Sequence, residues 1–138
     1  MALQWREQLS VGNNRIDADH QRLIAIISAA EISLDSRDRG ALFRVLYELA
    51  QYGEEHFKRE EALARAVGYP KSDQLHRSHD QLVAELTLFK SQIGETLTDE
   101  VAKHIAGFLH DWFINHVIKE DLPMKPWMMK YPADLDRN

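Results

Sequence analysis

The chain of 138 residues contains no cysteine, which excludes disulfides, thiolate-bound zinc and cysteine-ligated iron–sulfur clusters. Any metal must therefore be held by nitrogen and oxygen. With 4 prolines and 6 glycines, little interrupts regular structure, and the abundant Leu, Ala, Glu, Lys and Arg favour helix. A positive balance is also missing. The formal net charge of −5 argues against nucleic acid or an anionic membrane as a partner, since both select a basic face. No run approaches the roughly 18 apolar residues of a membrane span. The opening MALQWREQLS lacks the basic-then-apolar layout of a signal peptide, so a cytoplasmic protein is expected.

What is present is helical periodicity. Residues 1–15 read as an arm without period, followed by a first helix starting near Asp17 or Asp19, either a candidate cap. Its stripe is Leu23, Ile24, Ile27 and Leu34, with His20 on the same face. The run SRDRG breaks the pattern. A second helix carries Leu42, Val45, Leu46 and Leu49 and fades at Gly68-Tyr69-Pro70. A third runs from about Ser72, read as its cap, to Ile93, with Gly94 closing it. The fourth starts near Thr98, carries Ile105, Phe108, Leu109, Trp112 and Phe113, and must end by Pro123. The fold expected is all-α, an up-down-up-down four-helix bundle in a single domain. An arm (1–15), the bundle (about 17–121) and a proline-rich, non-helical tail (about 122–138) packed back on the bundle make up that domain.

Ligand-type residues interrupt the apolar stripes. Leu42, Val45, Leu46, Leu49, Gly53, His56, Glu60 and Leu63 step by three or four, so His56 and Glu60 lie on the buried face one turn apart. An unpartnered buried carboxylate costs several kcal/mol, and a bound cation removes that penalty. His79 sits between Leu75 and Leu82, with His76 at i−3. Ile105, Leu109 and Trp112 lead to His116, followed by Glu120 and Asp121. Each helix thus presents a histidine inward. One such histidine is commonly a core residue, but four are a metal site, and two bridging-capable carboxylates suit two ions. Imidazole with carboxylate fits iron, manganese, zinc or copper. His104 and His110 share no face with His116 and read as rim histidines; Lys58, Arg59 and Glu61 read as solvated surface. Phe108, Trp112 and Phe113 are core residues that could also enclose a dry pocket.

The segments VGNNRIDADHQRL, HFKREE, GYP and WFINHVIKED resemble the motifs of the hemerythrin family, specifically its single-domain bacterial members. The resemblance spans about Trp5 to Asp121, and its fold inference coincides with a bundle type for which that family supplies an example. It implies a non-haem di-iron centre, oxo- or hydroxo-bridged when oxidised, that binds O2 reversibly for storage, delivery or sensing without being an enzyme. It further implies that His20 and His56 hold one iron, His79 and His116 the other, and that Glu60 and Asp121 bridge them. Asp121 lies about 140° around a regular helix from His116, so the family role requires a distorted helix there, and Glu120 at i+4 is the geometric competitor. A second departure lies in the third helix. The family's HxxxH would place its first histidine at Leu75, whereas here the motif reads HRSH. Either a rewound helix brings in His76, or one iron lacks a histidine. In that case peroxide, O2 or nitric oxide chemistry, or an iron- or oxygen-responsive regulatory module, becomes the alternative.

Overall fold

A computed structural model describes residues 3–136. Four helices dominate it: α1 (Asn14–Asp35), α2 (Arg39–Ala66), α3 (Ser72–Ser91) and α4 (Asp99–His116). They form the expected all-α four-helix bundle, α1 packing on α2 and α4, and α2 on α3. No strand occurs among the described residues, and none of their helices is long and apolar enough to cross a membrane.

The helix starts follow capping chemistry, in places other than expected. Asn13 caps α1, its side chain accepting from the Ile16 amide at 3.1 Å. Asp17 is not the cap; it reaches back to accept from Ser10 Oγ (2.6 Å) and the Val11 amide (3.0 Å) and so fastens the arm. Asp19, the other candidate, is buried in the site. Asp38 caps α2 and Thr98 caps α4. Ser72 is the first helical residue of α3 rather than its cap, and its hydroxyl donates to the Tyr69 carbonyl at 2.7 Å. The same helix stops at Ser91, short of Gly94.

Two apolar clusters flank the ligand-type residues. The larger joins Leu23, Ile27, Leu46, Leu49, Leu82, Leu86, Ile105, Leu109 and Phe113 through all four helices. The smaller gathers Val11, Ile16, Leu63, Tyr69, Leu75, Met124 and Met128 at the opposite end. Each fully buried aliphatic side chain contributes about 1.5–3 kcal/mol. The tail packs back as expected, but it is not free of helix. Pro123 and Pro126 stand in the opening turns of two short helical segments, Leu122–Met124 and α5 (Lys125–Met128). Proline's fixed φ suits a first turn, where its missing N–H is not needed. The tail is then tied to the arm: Asn14 N donates to Ala133 O and Asn13 Nδ2 to Leu135 O, both at 2.8 Å. Gly12 adopts φ +80°, a left-handed conformation that strains any other residue, and a Cβ there would also push Met129 Sδ aside.

Candidate metal centre

α4 does not end at His116. It widens into a π-helical turn over Val117–Asp121. The extra residue per turn carries position i+5 beneath His116, so Asp121 is fully buried at the bundle centre while Glu120 stays at the rim. Glu120 instead lines a surface cleft. The distortion required by the His116–Asp121 spacing is thus built into the fold.

His20 from α1, His56 and Glu60 from α2, His79 from α3, and His116 and Asp121 from the end of α4 converge in the interior, every one of them buried. They form two overlapping groups, His20–His56–Glu60–Asp121 and Glu60–His79–His116–Asp121. The carboxylates divide their oxygens between the groups. Glu60 Oε2 lies 3.0 Å from His56 Nε2 and 3.3 Å from His20 Nε2, while Oε1 lies 2.8 Å from His79 Nε2 and 3.6 Å from His116 Nε2. Asp121 Oδ2 faces His20 Nε2 and Oδ1 faces His116 Nε2, each at 3.0 Å. Two donor sets sharing two straddling carboxylates are an arrangement for a pair of ions.

These contacts are close, yet among them hydrogen-bond geometry is met only where His79 Nε2 approaches Glu60 Oε1 and His116 Nε2. His20 Nε2, His56 Nε2, Glu60 Oε2 and both Asp121 oxygens are buried and make no hydrogen bond. Buried polar atoms without partners cost about 1–3 kcal/mol each, and five in one place need another explanation. Ligand bonds of roughly 2.1 Å meeting at right angles set neighbouring donor atoms about 3.0 Å apart, which is the spacing found here. The 3.2 Å approach of His79 Nε2 to His116 Nε2 fits the same rule. The donor set therefore fits two cations of the imidazole- and carboxylate-loving kind, iron included.

Electrostatics agree. Burial opposes a charge on His20 and on His116, yet Asp121 and Glu60 raise them to about 9 and about 10. His56 is also raised against its burial, by Glu60 and Asp19. Burial opposes a charged Glu60 too, but His56, His116 and His20 hold it well below the usual carboxylate range. The interior is organised to retain positive charge.

Two of the imidazoles are oriented from outside. Asp19 accepts from His56 Nδ1 (3.0 Å), Tyr52 Oη (2.6 Å), and both Nε and Nη2 of Arg59 (2.9 Å each). Desolvation would raise its pKa, but hydrogen bonds from His56, Arg59 and Tyr52 bring it far below normal. Glu61 accepts from His79 Nδ1 at 2.7 Å. Carboxylates behind ligand histidines fix tautomer and ring orientation. Reading Arg59 and Glu61 as solvated surface was therefore wrong, and Asp19 and Tyr52 were missed. Their helical phase lies beside the stripe, where a long side chain still reaches inward. The DADH segment, with an acid next to His20, and the second acid of HFKREE were the available signals.

His76 does not join the cluster. One residue step past Leu75 turns it by about 100°, and α3 is not rewound to compensate. Its side chain is 52% exposed, with Nδ1 at 2.6 Å from Glu61 Oε1 and Nε2 at 3.3 Å from Asp80 Oδ2. Leu75 occupies the inward position at 1% exposure. His104 and His110 stay at the rim, away from the cluster. A pocket of about 10 Å³ touches His20, His56 and His116 and is walled by Leu23, Phe57, Leu82, Trp112 and Phe113. Phe108 is not part of it and stacks on Phe89 instead.

Comparison with known proteins points the same way. Residues 11–128 match the family model of the hemerythrin HHE cation binding domain. A bacteriohemerythrin of Stenotrophomonas maltophilia is 29% identical over 121 residues, covering 86% of this chain and 76% of that protein. One from Clostridium acetobutylicum is 24% identical over 123 residues, covering 85% and 94%. A hemerythrin-like protein of Naegleria gruberi is 28% identical, covering 88% and 89%. The crystal structure of a leucine-to-tyrosine hemerythrin mutant shares the fold with a TM-score of 0.77 at 20% identity, over 94% of this chain and 99% of that one. The match over most of its length shows that this chain belongs to the hemerythrin family of cation-binding domains.

Proposed function

We propose that this protein holds two iron ions and binds O2 reversibly, as a cytoplasmic store, carrier or sensor of oxygen rather than as an enzyme. In this reading His20 and His56 hold one ion, His79 and His116 the other, and Glu60 and Asp121 span both. The observation that carries it is the division of the two carboxylates, one oxygen of each to either histidine pair, beside a small dry pocket. The ions, when bound in the ferrous state, supply the electrons that O2 needs to bind and recover when it leaves. The protein's part is positional. Asp19 and Glu61 hold the rings of His56 and His79, while Phe57, Trp112 and Phe113 exclude water from the pocket. At about 10 Å³ the pocket is at the lower limit for a single water-sized molecule. That size and its apolar wall favour a neutral diatomic over a larger or charged ligand.

The test is to load the protein anaerobically with ferrous iron, expose it to O2, and follow iron content and visible absorption. Two irons per chain and an absorption that appears with O2 and vanishes on its removal are expected. Irreversible oxidation without such a band overturns reversible binding. A second reading, turnover of peroxide or nitric oxide, is favoured by Leu75 standing where the family's motif carries a histidine. Steady consumption of peroxide with an added reductant would support it.

A further inference from the structure

The two halves of the centre are near mirror images in their chemistry. Each offers two imidazoles and one oxygen from each of Glu60 and Asp121. The ring centroids of His20 and His56 are 4.8 Å apart, and those of His79 and His116 are 4.9 Å apart. His20 and His116 face Asp121 at the same 3.0 Å. The likeness extends outward. In each pair one ring is backed by a carboxylate, Asp19 behind His56 and Glu61 behind His79. The other ring of each pair, His20 or His116, has an Nδ1 with no hydrogen-bond partner. The likeness is one of donor chemistry rather than of helix arrangement, since Glu60 and Glu61 both come from α2.

What could break this symmetry is a fifth protein ligand on one side. The position for it is Leu75, one turn before His79 on the same face of α3. Leu75 is fully packed with Leu63, Tyr69, Met124 and Met128, and cannot ligate. His76, the nearest alternative, is held at the surface by Glu61 and Asp80.

We propose that the two ions of this centre are coordinatively equivalent, and that the ion held by His79 and His116 has an open position like its neighbour, so the pair takes two small neutral ligands. That second position faces the largely apolar packing of Leu75, Leu63, Met124 and Met128, beside the Tyr69 phenol, and suits a small neutral diatomic. A route to this half exists. A cleft of about 750 Å³ between α3 and α4, lined by Ser78, Leu82, Phe108, Trp112 and Glu120 among others, reaches His116 from solvent.

The proposal rests on the di-iron reading above, and the experiment separates the two. Anaerobic diferrous protein is first assayed for iron, then examined by Mössbauer spectroscopy and titrated with nitric oxide. Two irons per chain uphold the di-iron reading, and fewer overturn it together with the proposal. With two irons bound, equivalence requires a single quadrupole doublet and a titration endpoint of two nitric oxide molecules per pair. Two doublets of equal area, or an endpoint of one, overturn equivalence while leaving the di-iron reading intact. Leu75→His provides the converse: the doublet splits and the endpoint drops from two to one. The wild-type result decides the matter even if that variant fails to fold.

Discussion

The two histidine pairs share one inner geometry but sit in different surroundings. Behind His56, Asp19 is 2% exposed and receives hydrogen bonds from Tyr52 and twice from Arg59. Behind His79, Glu61 is 18% exposed and divides itself between His79 and the half-exposed His76. The first support is dry and fully paired. The second borders a surface cleft lined by Glu54, Lys58, Asp80 and Val83, where water can replace a lost partner. The same carboxylate–imidazole device should therefore be worth much more on the α1–α2 side than on the α3 side, because desolvation sets the cost of leaving a partner unpaired.

The largest effect is expected where the halves meet. Glu60→Gln removes anionic oxygen from both donor sets at once, and iron content should drop from two per chain to below one. Loss of only one ion would show that the halves bind independently of this bridge. Next comes Asp19→Asn. It strands the Arg59 guanidinium and unbacks His56, which we expect to cost roughly 3 kcal/mol, the low end for breaking a buried pair from one side. Thermal unfolding should move down by about 10 °C. Acid should expose the same difference. Asp19 has a folded pKa below its ordinary 3.8, so its stabilisation is complete above that value and fades as pH falls through the lower folded one. The variant's stability should therefore decline less steeply with acid than the wild type's, as followed by circular dichroism.

Glu61→Gln should weaken iron binding roughly 10–100-fold, as outer-sphere changes at metal sites do, with little change in melting temperature. Competition with a chelator would measure it, and an effect as large as that of Asp19→Asn on stability would erase the contrast. A finer probe is Tyr52. Burial and its hydrogen bond to Asp19 push its pKa up to about 12 from 10.0. Stability from this group is full below 10.0 and is lost as pH rises through about 12. Ultraviolet titration should show the late phenolate, which Asp19→Asn should shift back toward 10.0. The smallest effect belongs to His76→Ala. Its contacts with Glu61 and Asp80 are open to solvent, so melting temperature and iron content should both stay at the wild-type level.

Much of this was readable along the chain. The 3.6-residue period placed His20, His56, Glu60, His79 and His116 on the faces that bury Leu23, Leu49, Leu63, Leu82 and Leu109, and the structure brings those side chains to one centre. Helix ends were less legible. Asn13 took the cap from Asp17 because the arm needed Asp17 to hold Ser10 and Val11, a choice made by contacts outside the helix. The tail misled because proline is a breaker inside helices but a good opener of them. Arg59 and Glu61 misled because a residue's phase reports where its Cα lies, while a long side chain can still bend toward a buried partner.

Helical periodicity is a local property, so the sequence by itself determined four amphipathic helices and which imidazoles lie on their inner faces. Whether Glu120 or Asp121 completes the centre was left to the tertiary structure. The answer depends on a π turn, stabilised only where packing of the tail through Met124 and Met128 and burial of Asp121 among imidazoles favour the extra residue. The outward fate of His76 was decided in the same way. An undistorted α3, with Leu75 packed inward against Leu63, Tyr69 and Met124, leaves the next residue facing solvent.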